Sequence, residues 1–95
     1  MSKLSKEVIW LLRGKQKKRV FLNIPEIQFM PNKLRKELNE KLSSSLSLRE
    51  MSRHLGDFEK YGLISCLNKN DPYNKIYSLT EKGIKTQKII YELKI

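Results

Sequence analysis

The chain has 95 residues, a length that fits one domain with one compact core. Its 20 Lys and Arg outnumber its 10 Asp and Glu, and the net charge of +10 favours an anionic partner, nucleic acid before a membrane surface. One Cys excludes an internal disulfide, and the lack of a long apolar run or a signal-peptide pattern predicts a soluble, cytoplasmic protein with no membrane contact.

The first 24 residues carry two helical patterns. The apolar stripe of the first pattern consists of Leu4, Val8, Leu11 and Leu12, and that of the second consists of Val20, Phe21 and Ile24. The stripe shifts by about half a turn at Gly14, and Pro25 ends the second pattern. We therefore predict two short helices, or one long helix that changes its packing partner near Gly14.

The segment from 27 to 45 predicts a short strand, a helix and a turn. Alternation over Ile27–Phe29 indicates a strand. Pro31 suits the first position of a helix, and leucines at every fourth residue extend that helix from about 31 to 41. The serines at 43–45 are typical of a turn.

A second helix follows this turn closely. Ser47 and Glu50 have the spacing of a capping box, and Gly62 is a suitable left-handed stop after Tyr61. The predicted inward stripe is Leu48, Met51, Leu55 and Phe58. The opposite face holds three cations and no acid: Arg49, Arg53, Gly56 and Lys60. Next to it, His54 is predicted to be partly exposed and without a special role.

The last third of the chain predicts a hairpin and a final helix. Strands are expected at 63–67 and 75–79, with a turn-rich segment between them, and Cys66 is expected to be a small buried residue. Thr80 caps a helix that runs to the C-terminus and is apolar on two sides. One side can pack on the core and the other on a second copy, so we predict a two-fold homodimer, with a frayed terminal helix as the alternative. Helices at about 3–13 and 80–95 contribute to this dimer, through Ile9, Trp10, Ile89, Ile90 and Leu93.

The order of these elements predicts the fold class: mainly α with a small β-hairpin, as a winged helix-turn-helix of a single domain over 1–95. In that fold the second helix of the pair enters the major groove of DNA, where Arg can bond guanine O6 and N7. We therefore predict a recognition helix at about 47–61 and a wing at about 67–76 on the minor groove or the backbone. The candidate contacts on the helix are Ser47, Arg49, Glu50, Ser52, Arg53, Gly56 and Lys60.

Other residues are candidates for phosphate contacts, which position a protein on DNA without reading its sequence. On the wing they are Lys69, Tyr73 and Lys75. At the starts of two helices they are Lys15, Lys17, Lys18, Arg19, Asn32 and Lys33. For each group the alternative is an ordinary solvated surface. The lysines of the last helix, such as Lys88, are expected to be solvated and away from DNA.

Catalytic patterns are missing from the sequence. It has no Gly-rich phosphate loop, no His/Cys pair, no HExxH and no GxSxG. We therefore expect no enzymatic activity, no metal and no cofactor, and the sequence does not specify a small-molecule effector.

Two segments, 46–64 and 76–83, resemble the recognition helix, wing entry and wing exit of winged-helix regulators. The pattern Ser-Arg-His-Leu…Glu-Lys-x-Gly-Leu-Ile…Tyr-Ser-Leu-Thr-Glu-Lys-Gly is similar to that of small archaeal winged-helix regulators related to the MarR and ArsR families, over about residues 8–85. The resemblance implies that Arg49, Ser52 and Arg53 enter the major groove and that residues 69–75 approach the minor groove. The Cys and His ligands of ArsR-type metal sensors are missing here, and the chain is short for a MarR-type ligand pocket.

These observations favour a dimeric, sequence-specific DNA-binding transcription regulator. Two alternatives remain open: a non-specific architectural or chromatin protein that binds phosphates, and a winged-helix module that binds other proteins. Selection from random duplexes separates the first two, because an architectural protein enriches no sequence.

Overall fold

The computed structural model describes residues 5–71 and 73–93, which form five helices and a two-stranded sheet. The helices are α1 (Lys6–Leu12), α2 (Lys15–Leu22), α3 (Pro31–Leu42), α4 (Leu48–Lys60) and α5 (Glu81–Leu93). The strands β1 (Ile64–Cys66) and β2 (Tyr77–Leu79) pair antiparallel, with Ile64 opposite Leu79. The predicted fold class is confirmed. The predicted ends of the terminal helices, at 3–4 and 94–95, lie outside the described residues.

The first helical segment is two helices and not one. Ser5 caps α1, its hydroxyl accepting from the Val8 N–H at 3.2 Å. Gly14 lies between the helices as the extended N-cap of α2 and offers no side chain to cap it. The break turns α2 so that Val20 and Phe21 enter the core beside Val8.

Besides a 3.4 Å bond from Arg35 Nη1 to the Leu46 carbonyl, the turn between α3 and α4 is held by one side chain, Asn39. Its Oδ1 accepts from the Leu46 N–H and the Ser44 hydroxyl, both at 2.8 Å, and its Nδ2 donates to the Leu46 carbonyl at 3.0 Å. Ser43 ends α3 in the left-handed region, with φ of 51°. The turn between the two helices is therefore a fixed loop, and it sets where α4 begins.

Both predicted ends of α4 are confirmed. The Ser47 hydroxyl accepts from the Glu50 N–H at 3.1 Å, and the Glu50 carboxylate accepts from the Ser47 N–H at 3.0 Å. At the other end Gly62 has φ of +75°, its N–H bonds to the Glu59 carbonyl, and the next N–H reaches the Phe58 carbonyl. These are the two bonds of a Schellman motif.

Two sequence predictions about local structure are wrong. Ile27–Phe29 is not a strand, because Pro31 starts α3 so soon that only Phe29 pairs, in a single bridge to Tyr77. Leu48 does not join the inward stripe, because the first turn of α4 extends past the core and leaves this side chain half exposed.

The core lies around α4, between α1 and α2 on one side and α3 and the hairpin on the other. Phe58 packs edge-on against Phe21, with ring centroids 5.3 Å apart. Cys66 is buried, as predicted. Helix α5 closes the core with a buried amide, because Gln87 Nε2 donates to the carbonyls of Phe21, in the last turn of α2, and of Ile24, just after it.

The described helices are all too short, or not apolar enough, to cross a membrane.

Candidate nucleic-acid interface

The outward face of α4 is a basic stripe, here called the α4 stripe: Arg49, Arg53, Gly56 and Lys60. All four residues are exposed. Among the described residues the single ion pair joins Lys82 to Glu7 at 2.8 Å, far along the chain from the stripe. The three cations of the α4 stripe therefore face solvent without an acidic partner from the described residues.

Gly56 lies in the middle of the α4 stripe and has no packing role in the chain. A Cβ built there meets no atom within 4 Å. A glycine inside an exposed helix costs about 0.5–1 kcal/mol relative to alanine. Since no neighbour in the described chain requires glycine, the bare backbone is available to a molecule outside it.

The N-terminal turn of α4 is fixed from two directions. Glu50 is one member of the capping box, and its second oxygen accepts from Gln16 Nε2 at 3.4 Å. The N–H and hydroxyl groups of Ser47, followed by Gln16, hold the pKa of the Glu50 carboxyl below its ordinary value. Glu50 and Ser47, both predicted as base contacts, are thus bonded to each other at the helix start, and Ser47 is exposed there.

His54 differs from its prediction. It is only 8% exposed, and its Nε2 lies 2.8 Å from Gln16 Oε1. Burial, followed by the charge of Arg53, lowers the pKa of the imidazole from its ordinary 6.5. Gln16 therefore links α2 to two successive turns of α4. This link was not predicted, because a lone Gln in a basic run belongs to no motif.

Acid should destabilise the fold through His54. Because its folded pKa lies below 6.5, between the two values only the unfolded chain binds the proton. The free energy of unfolding should be fully retained above about pH 6.5 and fall as the pH drops through that value. The measurement is urea unfolding at about pH 7.5 and 5.5 for the wild type and His54→Gln.

The difference between the two proteins assigns the effect to His54, the single histidine of the chain. The carboxyl groups of Glu7, Glu50 and Asp71 have pKa values lowered from 4.5, 4.5 and 3.8, so their losses come at lower pH. An equal loss in His54→Gln between pH 7.5 and 5.5 would contradict the prediction.

A groove of about 730 Å³ opens on one flank of α4, between the start of α3 and the hairpin, and is here called the wing groove. Its polar and apolar lining includes Asn32, Lys33, Lys36, Leu48, Ser52, Tyr73 and Lys75. The structure thus brings Ser52 of α4 together with Lys33 and Lys75, three predicted contacts. Lys36 was missed, because α3 mixes basic and acidic residues and no pattern in it singles out Lys36.

The hairpin loop that forms the predicted wing is shaped by two side chains. Asn68 Oδ1 accepts from the Ile76 N–H at 2.7 Å, and its Nδ2 donates to the Asn74 carbonyl at 2.6 Å. Asp71 Oδ1 accepts from the Tyr73 and Asn74 N–H groups, both at 2.9 Å, and these bonds lower the pKa of its carboxyl. This acid therefore supports the turn, while Tyr73 is 89% exposed and Lys69 is exposed nearby.

On the opposite flank, α2 presents a second basic surface, here called the α2 face: Lys15, Lys18 and Arg19. Lys15 and Arg19 also border a depression of about 440 Å³ with Glu50 and the serines of the turn. The α2 face thus reaches the N-terminal end of α4. The wing groove and the α2 face lie on different sides of α4.

Lys17, predicted with this group, lies elsewhere. Its ammonium lies 4.1 Å from the centre of the Trp10 ring, a cation–π contact between α2 and α1. Trp10 is itself half buried and stacks on Tyr61 with centroids 4.3 Å apart. Both side chains are therefore engaged within the chain.

The predicted dimer surface is divided by the structure. Ile90 is fully buried in the core between α5 and its neighbours, so its assignment to an interface is wrong. Ile9, Ile89 and Leu93 are exposed, on two helices, α1 and α5, that pack against each other.

Two solved structures share this architecture. One is hsRosR-SG, an archaeal winged-helix transcriptional regulator solved as a complex, with a TM-score of 0.74 and 18% identity, covering 85% of this chain and 71% of its own. The chain has the winged-helix fold. The other is the reduced form of the transcriptional regulator YodB from B. subtilis, with a TM-score of 0.68 and 20% identity, covering 99% and 88%. No family model and no curated protein matches the chain.

Proposed function

We propose that this protein is a sequence-specific, double-stranded DNA-binding transcription regulator that acts as a homodimer. The observation that carries the proposal is the α4 stripe, a continuous basic face on a helix with basic surfaces on both flanks. A surplus of ten positive charges on a 95-residue chain fits a polyanionic partner. Because these charges include a helix face and both of its flanks, they favour a double-stranded nucleic acid as that partner.

The flanking surfaces support insertion of α4 into the major groove. That groove is about 12 Å wide, close to the diameter of a helix with its side chains, and a phosphate backbone runs along each wall. The wing groove offers Lys33, Lys36 and Lys75 to one backbone. The α2 face offers Lys15 and Arg19 to the other.

The fixed position of the recognition helix supports sequence-specific binding and not merely non-specific attraction to phosphates. The capping box, Gln16 and Asn39 set the start of α4, so Arg49 and Arg53 extend from a helix whose position is defined. Bidentate Arg–guanine contacts need this kind of positioning. Gly56 lets the backbone of α4 approach the duplex, because no atom of the described residues lies within 4 Å of the position where a Cβ would be.

Dimerisation through α1 and α5 would bring two recognition helices to two half-sites about one helical turn apart. Ile9, Ile89 and Leu93 are the exposed apolar residues that support this part of the proposal. Sedimentation equilibrium of the free protein should give twice the mass of one chain, and a monomer at all concentrations up to the millimolar range would contradict it.

Selection of bound duplexes from a random pool tests the proposal as a whole. We expect enrichment of a motif with two-fold symmetry, bound at least about 1,000-fold more tightly than random DNA at the same salt concentration. Binding to all duplexes alike would support the architectural alternative, and no binding near physiological salt would support the protein-interaction alternative.

A further inference from the structure

Leu48 is an anomaly on the recognition helix. It is 50% exposed, whereas Met51, Leu55 and Phe58 on the same helix are 0–1% exposed. It is also the first residue of α4, directly after the Ser47 cap, so its backbone is held by the capping box. The chain thus presents an apolar side chain to solvent from a fixed position.

The position of Leu48 is one that meets bases if α4 enters the major groove. Residues at the N-terminal end of a recognition helix make most of the base contacts in this mode of binding. Leu48 also lines the wing groove together with Ser52, one turn further along, and with Lys33 and Lys75. Leu48 and Ser52 belong to α4 itself, so they would lie deeper in the major groove, beside the base edges, while the lysines of the wing groove bind the backbone.

The chemistry of leucine then selects the base. A leucine side chain has no donor and no acceptor, so it cannot read the polar edge of guanine, adenine or cytosine. Thymine alone among the four bases presents an apolar group in the major groove, its C5 methyl. Contact between the leucine and this methyl removes apolar surface from water, which favours binding. Contact between the leucine and a polar base edge would bury hydrogen-bonding groups without a partner, which opposes binding.

We propose that Leu48 is a specificity-determining residue that selects thymine through its C5 methyl group. The proposal rests on the proposed function, since it needs α4 in the major groove. It adds an aliphatic contact to a helix face whose other predicted base contacts are charged or small residues.

Deoxyuridine substitution tests the contact directly, because uracil pairs as thymine does and lacks only the methyl. Each thymine of one half-site in the selected duplex is replaced singly by deoxyuridine, and binding is measured by fluorescence anisotropy at fixed salt. At one position the wild type should bind about four-fold more weakly, the effect of losing one buried methyl group. Leu48→Ala should bind both duplexes equally at that position, and Leu48→Met should keep the preference.

Ile27→Ala is the matched control, because Ile27 is also an exposed aliphatic residue and lies outside α4 and outside every predicted contact. This variant should discriminate thymine from deoxyuridine as the wild type does. Since Leu48 is half exposed, urea unfolding should show that Leu48→Ala keeps the fold.

The outcomes separate this inference from the proposed function. A wild type that selects a motif but binds every deoxyuridine duplex as tightly as the original overturns the inference and leaves the proposed function intact. Discrimination that survives in Leu48→Ala overturns it as well. A wild type that selects no motif overturns both.

Discussion

Gly83→Ala should lower the free energy of unfolding by about 3 kcal/mol or more, the upper range of the cost of overpacking. A Cβ at Gly83 would lie 2.1 Å from the Leu63 carbonyl oxygen and 3.0 Å from both the Leu63 carbonyl carbon and Leu79 Cδ2. The first two atoms belong to the backbone, and the oxygen already accepts from the Thr80 N–H at 3.0 Å. Relief therefore requires α5 to move away from Leu63, the residue before β1, which loosens the packing of the last helix on the hairpin.

Gly56→Ala is the matched control, since it makes the same change in another helix. Its Cβ meets nothing within 4 Å, so helix propensity alone acts and should stabilise the fold by about 0.5–1 kcal/mol. Urea unfolding followed by circular dichroism measures both variants. If Gly83→Ala unfolds at the wild-type midpoint, or both variants shift in the same direction, the close approach of α5 to Leu63 is refuted.

The sequence predicted the elements of the fold well where local rules decide them. The capping box at Ser47 and the left-handed stop at Gly62 depend on residues within four positions of each other, and both were found. The periodic leucines of α3 likewise placed it within about one residue. Such patterns are readable because hydrogen-bond spacing and helix periodicity are set by the local chain.

Features that depend on distant residues were not readable. Leu48 has the helical phase of a core residue, yet the core does not extend to the first turn of α4. Ile90 was assigned to the dimer surface, but it is fully buried in the core, on a helix that packs against α1 and α2. His54 and Gln16 are 38 positions apart, so no spacing rule could join them.

In the candidate site, too, local patterns were predictable and contacts between distant residues were not. Helical phase was sufficient to predict the α4 stripe, and its four residues are exposed as expected. The division of the remaining cations was not predictable, because it depends on packing between helices. Lys17 was grouped with Lys15 but lies over Trp10, and Lys36 gave no pattern but lines the wing groove.

Arg53→Ala should weaken binding to the selected duplex by about 10- to 100-fold, the loss of one bidentate base contact. Arg53 is exposed in the middle of the α4 stripe, next to Gly56 in helical phase, and has no acidic partner among the described residues. Removing it should therefore leave the free energy of unfolding close to that of the wild type. The loss should be confined to one base pair, at which the variant no longer prefers any base.

Two further lysine variants distinguish base-specific contacts from non-specific attraction to phosphates. Lys18→Ala removes a cation of the α2 face and should weaken specific and random duplexes by the same factor, because a phosphate contact carries no sequence information. Lys88→Ala removes a cation from the exposed side of α5 and should change neither by more than about two-fold, since screening limits a charge far from the duplex. Equal losses from Arg53→Ala on specific and random DNA would show that the α4 stripe acts only as charge. The ratio of the two affinities across these three variants, measured at one salt concentration, therefore decides which part of the positive surplus reads sequence.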